Sequence, residues 1–429
     1  MGTQNDISWE LAFRNLPITE HISRAGFYDV SAEDLKKAAG GREPRHLAKI
    51  DHESNRPKVF RDNGLNILAI TNSDYRIGTF NPFVKLPELD ESSSKIRKME
   101  PPTHLETLTA RVISSENAVV YTAYSSKMID DFCEDQVVPT VSGRMRTEKF
   151  KFSMDTYDGK QQLISVDGAQ IEIDAGFEGS ENFYLFEVKN SLSSDFNLRQ
   201  VYYPFATWKN RLNKDVKNVF LTHSNDIFNF YEISFEIDEV ATPQILKHSR
   251  YSLGDIAPKI SQFEEAIREL ANVKLVNVPF PQADKFERVV DLVSLLIETP
   301  RTKEQLTENF DFDPRQSDYY LNAAKYLGLA QGTETTIFAP TMLGTKIFSV
   351  HPREKNAFLM AILLKVPGIK ELYKVWIKSG VKPDLDEAIR VLENYPEVMK
   401  YADSTKKRRA QTILSWVQWM VNQSELVSS

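Results

Sequence analysis

Two hydrophobic periods divide this chain. Over residues 114–132, Ala118, Val119, Ala123, Met128, Ile129 and Phe132 recur at roughly helical spacing, and Ser115 suits an N-cap. The following stretches change to period two or to short apolar runs, which predicts strands over 150–155, 162–166, 169–177 and 183–188. Asp167-Gly168 reads as a hairpin turn between two of them. A helix is expected from Phe196 to Leu212, then strands over 218–224 and 227–235. These elements make residues 103–275 one α/β domain.

The flanks have other rhythms. Residues 1–86 predict a helix over 7–16, a second over 32–39 after the N-cap Ser31, and strands over 65–70 and 75–80. Residues 87–102 combine Pro, Ser and mixed charge without a period and read as a linker. Residues 284–350 run helix, helix, helix, hairpin, with 332–336 as the hairpin loop. That is the order of a winged helix-turn-helix. Residues 351–429 are helical. The expected fold is therefore an α/β (α+β) core, a mixed sheet flanked by helices. An N-terminal domain precedes it, and a winged helix and a helical region follow.

Composition narrows the class. The 429 residues are 41% hydrophobic and 26% charged, as in ordinary globular chains. The net charge of −7 argues against a protein that coats nucleic acid uniformly, but leaves room for a local basic cleft. The single cysteine, Cys133, excludes an internal disulfide and a cysteine-based zinc site. The seven histidines form no HxH or HxxxH pair. The N-terminus has no signal-type apolar run, and no segment reaches the roughly 18–20 apolar residues of a membrane helix. The expected location is the cytoplasm, with no membrane partner.

The chemistry concentrates in residues 171–190, IEIDAGFEGSENFYLFEVKN. In a strand, alternate side chains share a face. Ile171, Ile173 and Ala175 would form an apolar face, with Glu172 and Asp174 on the other. In the next strand Glu187 and Lys189 share a side. Antiparallel pairing would bring Asp174 and Glu187 together, with Lys189 one pleat further. Close carboxylates repel unless a cation neutralises them. Mg2+ prefers such oxygens, completed by water. A metal held by Asp174 and Glu187 could activate water, and Lys189 could orient or deprotonate it. The competing reading is a half-exposed hairpin with paired surface charges.

Asp174 followed at a distance by Glu187-Val188-Lys189 resembles the D…(D/E)xK signature of the PD-(D/E)xK nuclease superfamily, and most resembles its type II restriction endonucleases. The resemblance covers about 120 residues. It implies a core ordered helix, three strands, helix, strand, with the first helix over 114–132, the three strands within 162–188, the second helix over 196–212 and the last strand over 218–224. It implies catalytic Asp174, Glu187 and Lys189, with Glu116 as the acid of the first helix and Mg2+ as cofactor. Arg199, Gln200 and Tyr203 fit the pattern of the second helix. One departure is Ile173, where the signature has Pro.

DNA would need basic surface. Residues 36–61 carry eight basic against three acidic side chains, among them Arg42, Arg45, Lys49, Arg56, Lys58 and Arg61. Asn55, Asn63 and Asn66 are available to read bases. Arg144, Arg146, Lys149 and Lys151 precede the hairpin, and Arg199, Lys209, Arg211, Lys214 and Lys217 follow it, placed to meet phosphates. Arg315 and Gln316 begin the third helix of the winged-helix region, although that region is net acidic. The expectation is a sequence-specific restriction endonuclease acting on double-stranded DNA as a homodimer. The alternatives are a methylation-dependent or repair nuclease of the same core, and a non-catalytic winged-helix regulator.

Overall fold

A computed structural model describes residues 4–87, 95–100, 102, 104–107, 113, 115–235, 241–276, 280–309, 314–332 and 337–424. Its centre is a mixed seven-stranded sheet. The strands are β1 (Ile96–Met99), β2 (Val138–Arg146), β3 (Gln170–Glu178), β4 (Asn182–Lys189), β5 (Asp215–Ser224), β6 (Ile227–Phe235) and β7 (Pro243–Leu253). They lie in the order β1-β7-β6-β5-β4-β3-β2. β2, β3 and β4 pair antiparallel, and β4 pairs parallel with β5. β4 is central and buried along most of its length, so its apolar run is continuous rather than alternating.

Helices cover both faces. Helix α1 (Glu116–Ser125) and the short helix Met128–Cys133 pack Val119, Ala123, Ile129 and Phe132 against Tyr184, Phe186, Val188, Val219 and Leu221. Helix α2 (Leu198–Trp208) covers the opposite face, where Val201 and Tyr203 meet Phe220, Tyr231 and Ile233. The single helix expected over 114–132 is thus two. Ser126 Oγ donates to the Thr122 carbonyl at 2.6 Å, and Lys127 adopts a left-handed φ of 66°, which ends the first helix. The N-cap is as expected, since Ser115 Oγ accepts from Ala118 N at 3.2 Å.

Two strand expectations need correction. The strands Phe150–Asp155 and Gln161–Val166 pair with each other in a separate two-stranded sheet, outside the main one. The main sheet uses β2 instead, which sequence periodicity did not reveal. β2 is an edge strand with Pro139 and a positive-φ Gly143, and its register with β3 slips twice. Pro, Gly and bulges are tolerated at such edges and hide the alternation. Asp167-Gly168 is consequently no hairpin turn of paired neighbours. Gly168 turns at φ 72°, but it passes the chain from the small sheet to β3.

The N-terminal region has its own core, with Trp9, Leu35, Leu47, Phe60, Ile67 and Ile77 fully buried. Ser31 caps the helix Ala32–Ala38 by accepting from Asp34 N at 3.1 Å. Part of the stretch expected as a linker is strand β1, which joins the sheet edge beside β7. Residues 88–94 fall outside the described residues.

In the C-terminal part, helix α3 (Phe286–Glu298) is followed by Lys303–Asn309 and Pro314–Tyr326. Two-residue strands Ala330–Gln331 and Ala339–Pro340 then pair antiparallel. Residues 333–336 of the expected loop lie outside the described residues. The core here continues into the last helices, because Phe286 sits 5.3 Å from Trp416 and 4.6 Å from Trp419, both on Asp403–Asn422. Among the described residues no helix is long and apolar enough to cross a membrane.

Candidate active site

The β3–β4 ladder runs from Phe183 opposite Glu178 to Phe186 opposite Ala175. Just past that point Asp174 replaces a ladder bond with its side chain: Oδ2 accepts from Val188 N at 2.7 Å. Val188 lies between Glu187 and Lys189, so the carboxylate is held against the EVK segment. The pleat at Asp174 is irregular. β2 advances from Val141 to Gly143 while β3 advances from Gly176 to Ile173. Ile173 therefore packs with Phe183 and Leu185, and Ala175 packs on the other side with Phe177 and Phe186. The expected single apolar face of Ile171, Ile173 and Ala175 is broken at the residue that carries the chemistry.

Glu187 is 8% exposed and holds two donors on Oε1, Lys189 Nζ at 2.6 Å and Gln200 Nε2 at 2.5 Å. Lys189 Nζ also lies 3.5 Å from Oε1 of Glu116, on α1. Gln200 is fixed from behind, because its Oε1 accepts from Asn197 N at 3.2 Å in the capping box that starts α2. The structure thus brings Glu116, Glu187, Lys189 and Gln200 into one contact set, with Asp174 on the adjoining backbone.

Burial raises the Asp174 carboxyl to about 6; Lys189 opposes the rise, and Glu116 adds to it. Burial raises Glu187 to about 8, again opposed by Lys189 and reinforced by Asp174. Burial pulls Lys189 down, but Glu187, Glu116, Asp174 and Asp51 outweigh it and hold the ammonium well above its ordinary range. Lys189 therefore faces more carboxylate charge than it can neutralise.

Asp51 was not among the expected site residues. It comes from the N-terminal region and lies 3.5 Å from Arg199 on α2. Burial alone would raise its carboxyl, yet Lys189, Arg199, Lys49 and His52 together hold it low. Its neighbours are pinned to the core. His52 Nδ1 is 2.9 Å from Asp195 Oδ1, Glu53 N donates to Asp195 Oδ2 at 3.0 Å, and Asn197 Nδ2 donates to the Ile50 carbonyl at 2.8 Å. Only its excess of charge marked this stretch in the sequence, and that pointed to the basic residues rather than to Asp51.

The expected DNA contacts divide. Arg45, Lys49, Arg144 and Arg146 are exposed, and Arg42 is half-buried. Lys58 is exposed but paired with Asp62. Arg61 is exposed and donates to the Arg56 carbonyl. Arg56 itself is a correction. It is 7% exposed, donates to the carbonyls of Phe60 and Leu65 at 3.2 and 3.0 Å, and lies 4.8 Å over the Tyr157 ring. Burial withholds it from any duplex. Asn66 is likewise buried, donating to the Phe80 carbonyl. Arg144 lies 3.4 Å from Glu172, which is on the surface. Arg199 and Gln200 are directed to Asp51 and Glu187, and Tyr203 is core, with its hydroxyl donating to the Ala69 carbonyl. Gln316 is half-buried, and the Arg315 side chain lies outside the described residues.

Three family profiles match the chain, each described as a domain of unknown function: DUF6996 over residues 6–77, DUF6997 over 78–252 and DUF7226 over 288–425. Glu116, Asp174, Glu187 and Lys189 fall in the second segment and Asp51 in the first. No curated protein and no solved structure matches the chain. Among the described residues, no three His, Cys, Asp or Glu side chains group closely enough to hold a metal by themselves.

Proposed function

We propose that this protein is a Mg2+-dependent endonuclease that hydrolyses phosphodiester bonds of double-stranded DNA at specific sequences, in the manner of type II restriction enzymes. The observation that carries the reading is the contact set of Glu187, Lys189 and Glu116, with Asp174 bonded to the backbone between the first two. Among the elements of the main sheet and the helices on its two faces, the order α1, β2, β3, β4, α2, β5 supports it, because it is the order that the PD-(D/E)xK resemblance implies, here with the two strands of the small sheet inserted between β2 and β3.

The donor set fits Mg2+. Asp174 and Glu187 offer carboxylate oxygens, and burial pushes both towards protonation against the opposing pull of Lys189. Mg2+ commonly takes one or two carboxylates and keeps several waters, so two protein ligands suffice. When bound, the ion would supply an acidified water and charge stabilisation at the phosphate. Asp174 and Glu187 would hold it. Lys189 Nζ, held as an ammonium, would orient the attacking water and stabilise the negative charge that develops on the phosphate. Gln200 would keep Glu187 in its rotamer, and Glu116 would keep Lys189 in place.

On this reading the exposed Arg45, Lys49, Arg144 and Arg146 contact phosphates, and the N-terminal region and the winged-helix region share recognition. A homodimer in the cytoplasm would match a twofold site. The test is digestion of unmethylated and methylated phage DNA with Mg2+ or with chelator, using the wild type and Asp174→Ala. The expected result is discrete fragments that require both Mg2+ and Asp174. Intact DNA under all conditions would sink the proposal. Cleavage confined to methylated DNA would keep the chemistry and change the specificity.

A further inference from the structure

A cavity of about 750 Å³ lies beside the site, bounded by the ends of β4 and β5, by α3 and by residues 348–355. That volume falls in the range of pockets that enclose small organic ligands, roughly 300–1,000 Å³. Two of its lining residues, Asn190 and His223, each follow a member of the bridged pair Lys189–Thr222. The cavity therefore begins one residue beyond the strand position of Lys189, on the side of Ile113.

His223 gives the cavity its chemistry. Asn190 Nδ2 donates to the Ile113 carbonyl at 2.9 Å, which turns Oδ1 towards His223 Nδ1 at 2.8 Å. An amide oxygen only accepts, so Nδ1 carries the proton and Nε2 keeps its lone pair. The residue is 7% exposed, and Nε2 has no hydrogen-bond partner among the described residues. Burial lowers the ring to about 4, so it is neutral at physiological pH. A buried acceptor without a donor is unfavourable, and a ligand N–H that reaches Nε2 through a small shift of the cavity wall would satisfy it.

The walls restrict the ligand further. Phe228 and Phe348 line the cavity and offer apolar ring faces, with Phe228 4.6 Å from His223. Among the described residues five carboxylates but only two cations face it. Both cations are already paired, Lys355 with Asp226 at 2.6 Å and Arg353 with Asp255. Such a lining repels phosphate. It suits a flat, uncharged ring that carries N–H donors on its edge.

We infer that this cavity receives a nucleobase, either from a free nucleoside or as a base turned out of DNA. The DNA source rests on the nuclease reading, and the free-nucleoside source does not. The test uses the full chain in chelator, so that cleavage plays no part. Adenosine, cytidine, 5-methylcytidine and ATP are titrated by calorimetry, and a duplex carrying 2-aminopurine is followed by fluorescence. At least one nucleoside should bind, and ATP should bind more weakly than adenosine. His223→Leu should weaken binding by about tenfold, the equivalent of one hydrogen bond, while His223→Gln, which keeps an acceptor, restores it. Ser294→Phe, filling the cavity from α3, should do the same as His223→Leu, and serves if that variant does not fold. A fluorescence rise lost in His223→Leu assigns the base to DNA. No nucleoside binding at millimolar concentration together with no fluorescence rise overturns the inference, as does binding indifferent to both substitutions. The nuclease reading would stand or fall separately, on the cleavage assay.

Discussion

Lys189 Nζ lies 2.6 Å from Glu187 Oε1, two residues away on the same strand, and both side chains are almost out of water. In most proteins such a pair would neutralise itself. Here the lysine is shared with Glu116 at 3.5 Å and faces Asp174 and Asp51 as well, so carboxylates outnumber it. Lys189→Met should therefore abolish cleavage, by roughly a hundredfold or more, while leaving duplex affinity in Mg2+-free buffer within about twofold. Cleavage kinetics and gel-shift titration of the same preparation check this. Equal loss of cleavage and binding would argue against a catalytic lysine.

The burial of these carboxylates also predicts a pH dependence. Glu187 and Asp174 hold protons to about pH 8 and about pH 6 in the fold, against ordinary values of 4.5 and 3.8. The folded state binds the extra protons across that window. Their contribution is fully present below the ordinary values and is lost as pH rises through the folded ones. The metal-free wild type should therefore melt at lower temperature at about pH 8.5 than at about pH 5.5, and Glu187→Gln should flatten the decline. Mg2+ should raise the melting temperature more at the higher pH, where it no longer competes with protons. Differential scanning fluorimetry with and without the ion measures both. A Mg2+ shift that does not grow with pH would contradict the assignment of these carboxylates.

Arginines in the N-terminal basic stretch should fall into two kinds. Arg56 ties Phe60 and Leu65 together under the Tyr157 ring. Arg56→Ala should cost about 1–3 kcal/mol in chemical denaturation, because the buried Leu65 carbonyl loses this donor, while the Phe60 carbonyl keeps the Leu65 N–H. Arg45 is exposed. Arg45→Ala should leave stability within about 0.5 kcal/mol. If Arg45 meets a phosphate, the same change should make the slope of log affinity against log salt shallower by about 1. An unchanged slope would remove Arg45 from the interface.

These two arginines show where sequence reading reaches and where it stops. Glu187 and Lys189 were legible because a strand fixes which side chains share a face, and that rule is local. Asp174 was legible as a residue but not in its setting. The extra residue of β3 that separates Ile173 from Ala175 has no signature when Gly176 and Pro139 already disturb the pattern. β2 was hidden for the same reason. Arg45 and Arg56 look alike in a charge count, and only the tertiary position of Tyr157 tells them apart. Asp51 reaches Arg199 across 148 residues of chain, a contact that no local period encodes.

Asp291 offers a last prediction, about how the C-terminal part supports the site. It lies on α3, is 8% exposed, and accepts from Leu192 N at 3.0 Å and from Ser224 Oγ at 2.8 Å. Leu192 follows the EVK strand by three residues, and Ser224 ends β5, so one carboxylate ties α3 to both strand ends. Burial raises it to about 6, an effect that the Ser224 and Leu192 hydrogen bonds moderate. Asp291→Ala should cost about 1–3 kcal/mol, since the Leu192 N–H loses its acceptor in a buried place. Asp291→Asn keeps an acceptor and should cost less. It should also remove the part of the stability decline that this group contributes between about pH 4 and pH 6. Hydrogen exchange supplies the local readout: amides of residues 190–194 should exchange faster in Asp291→Ala than in the wild type, while those of β6 stay protected. Unchanged exchange at 190–194 would mean that α3 does not hold the strand end, and that the C-terminal part acts on the site by some other contact.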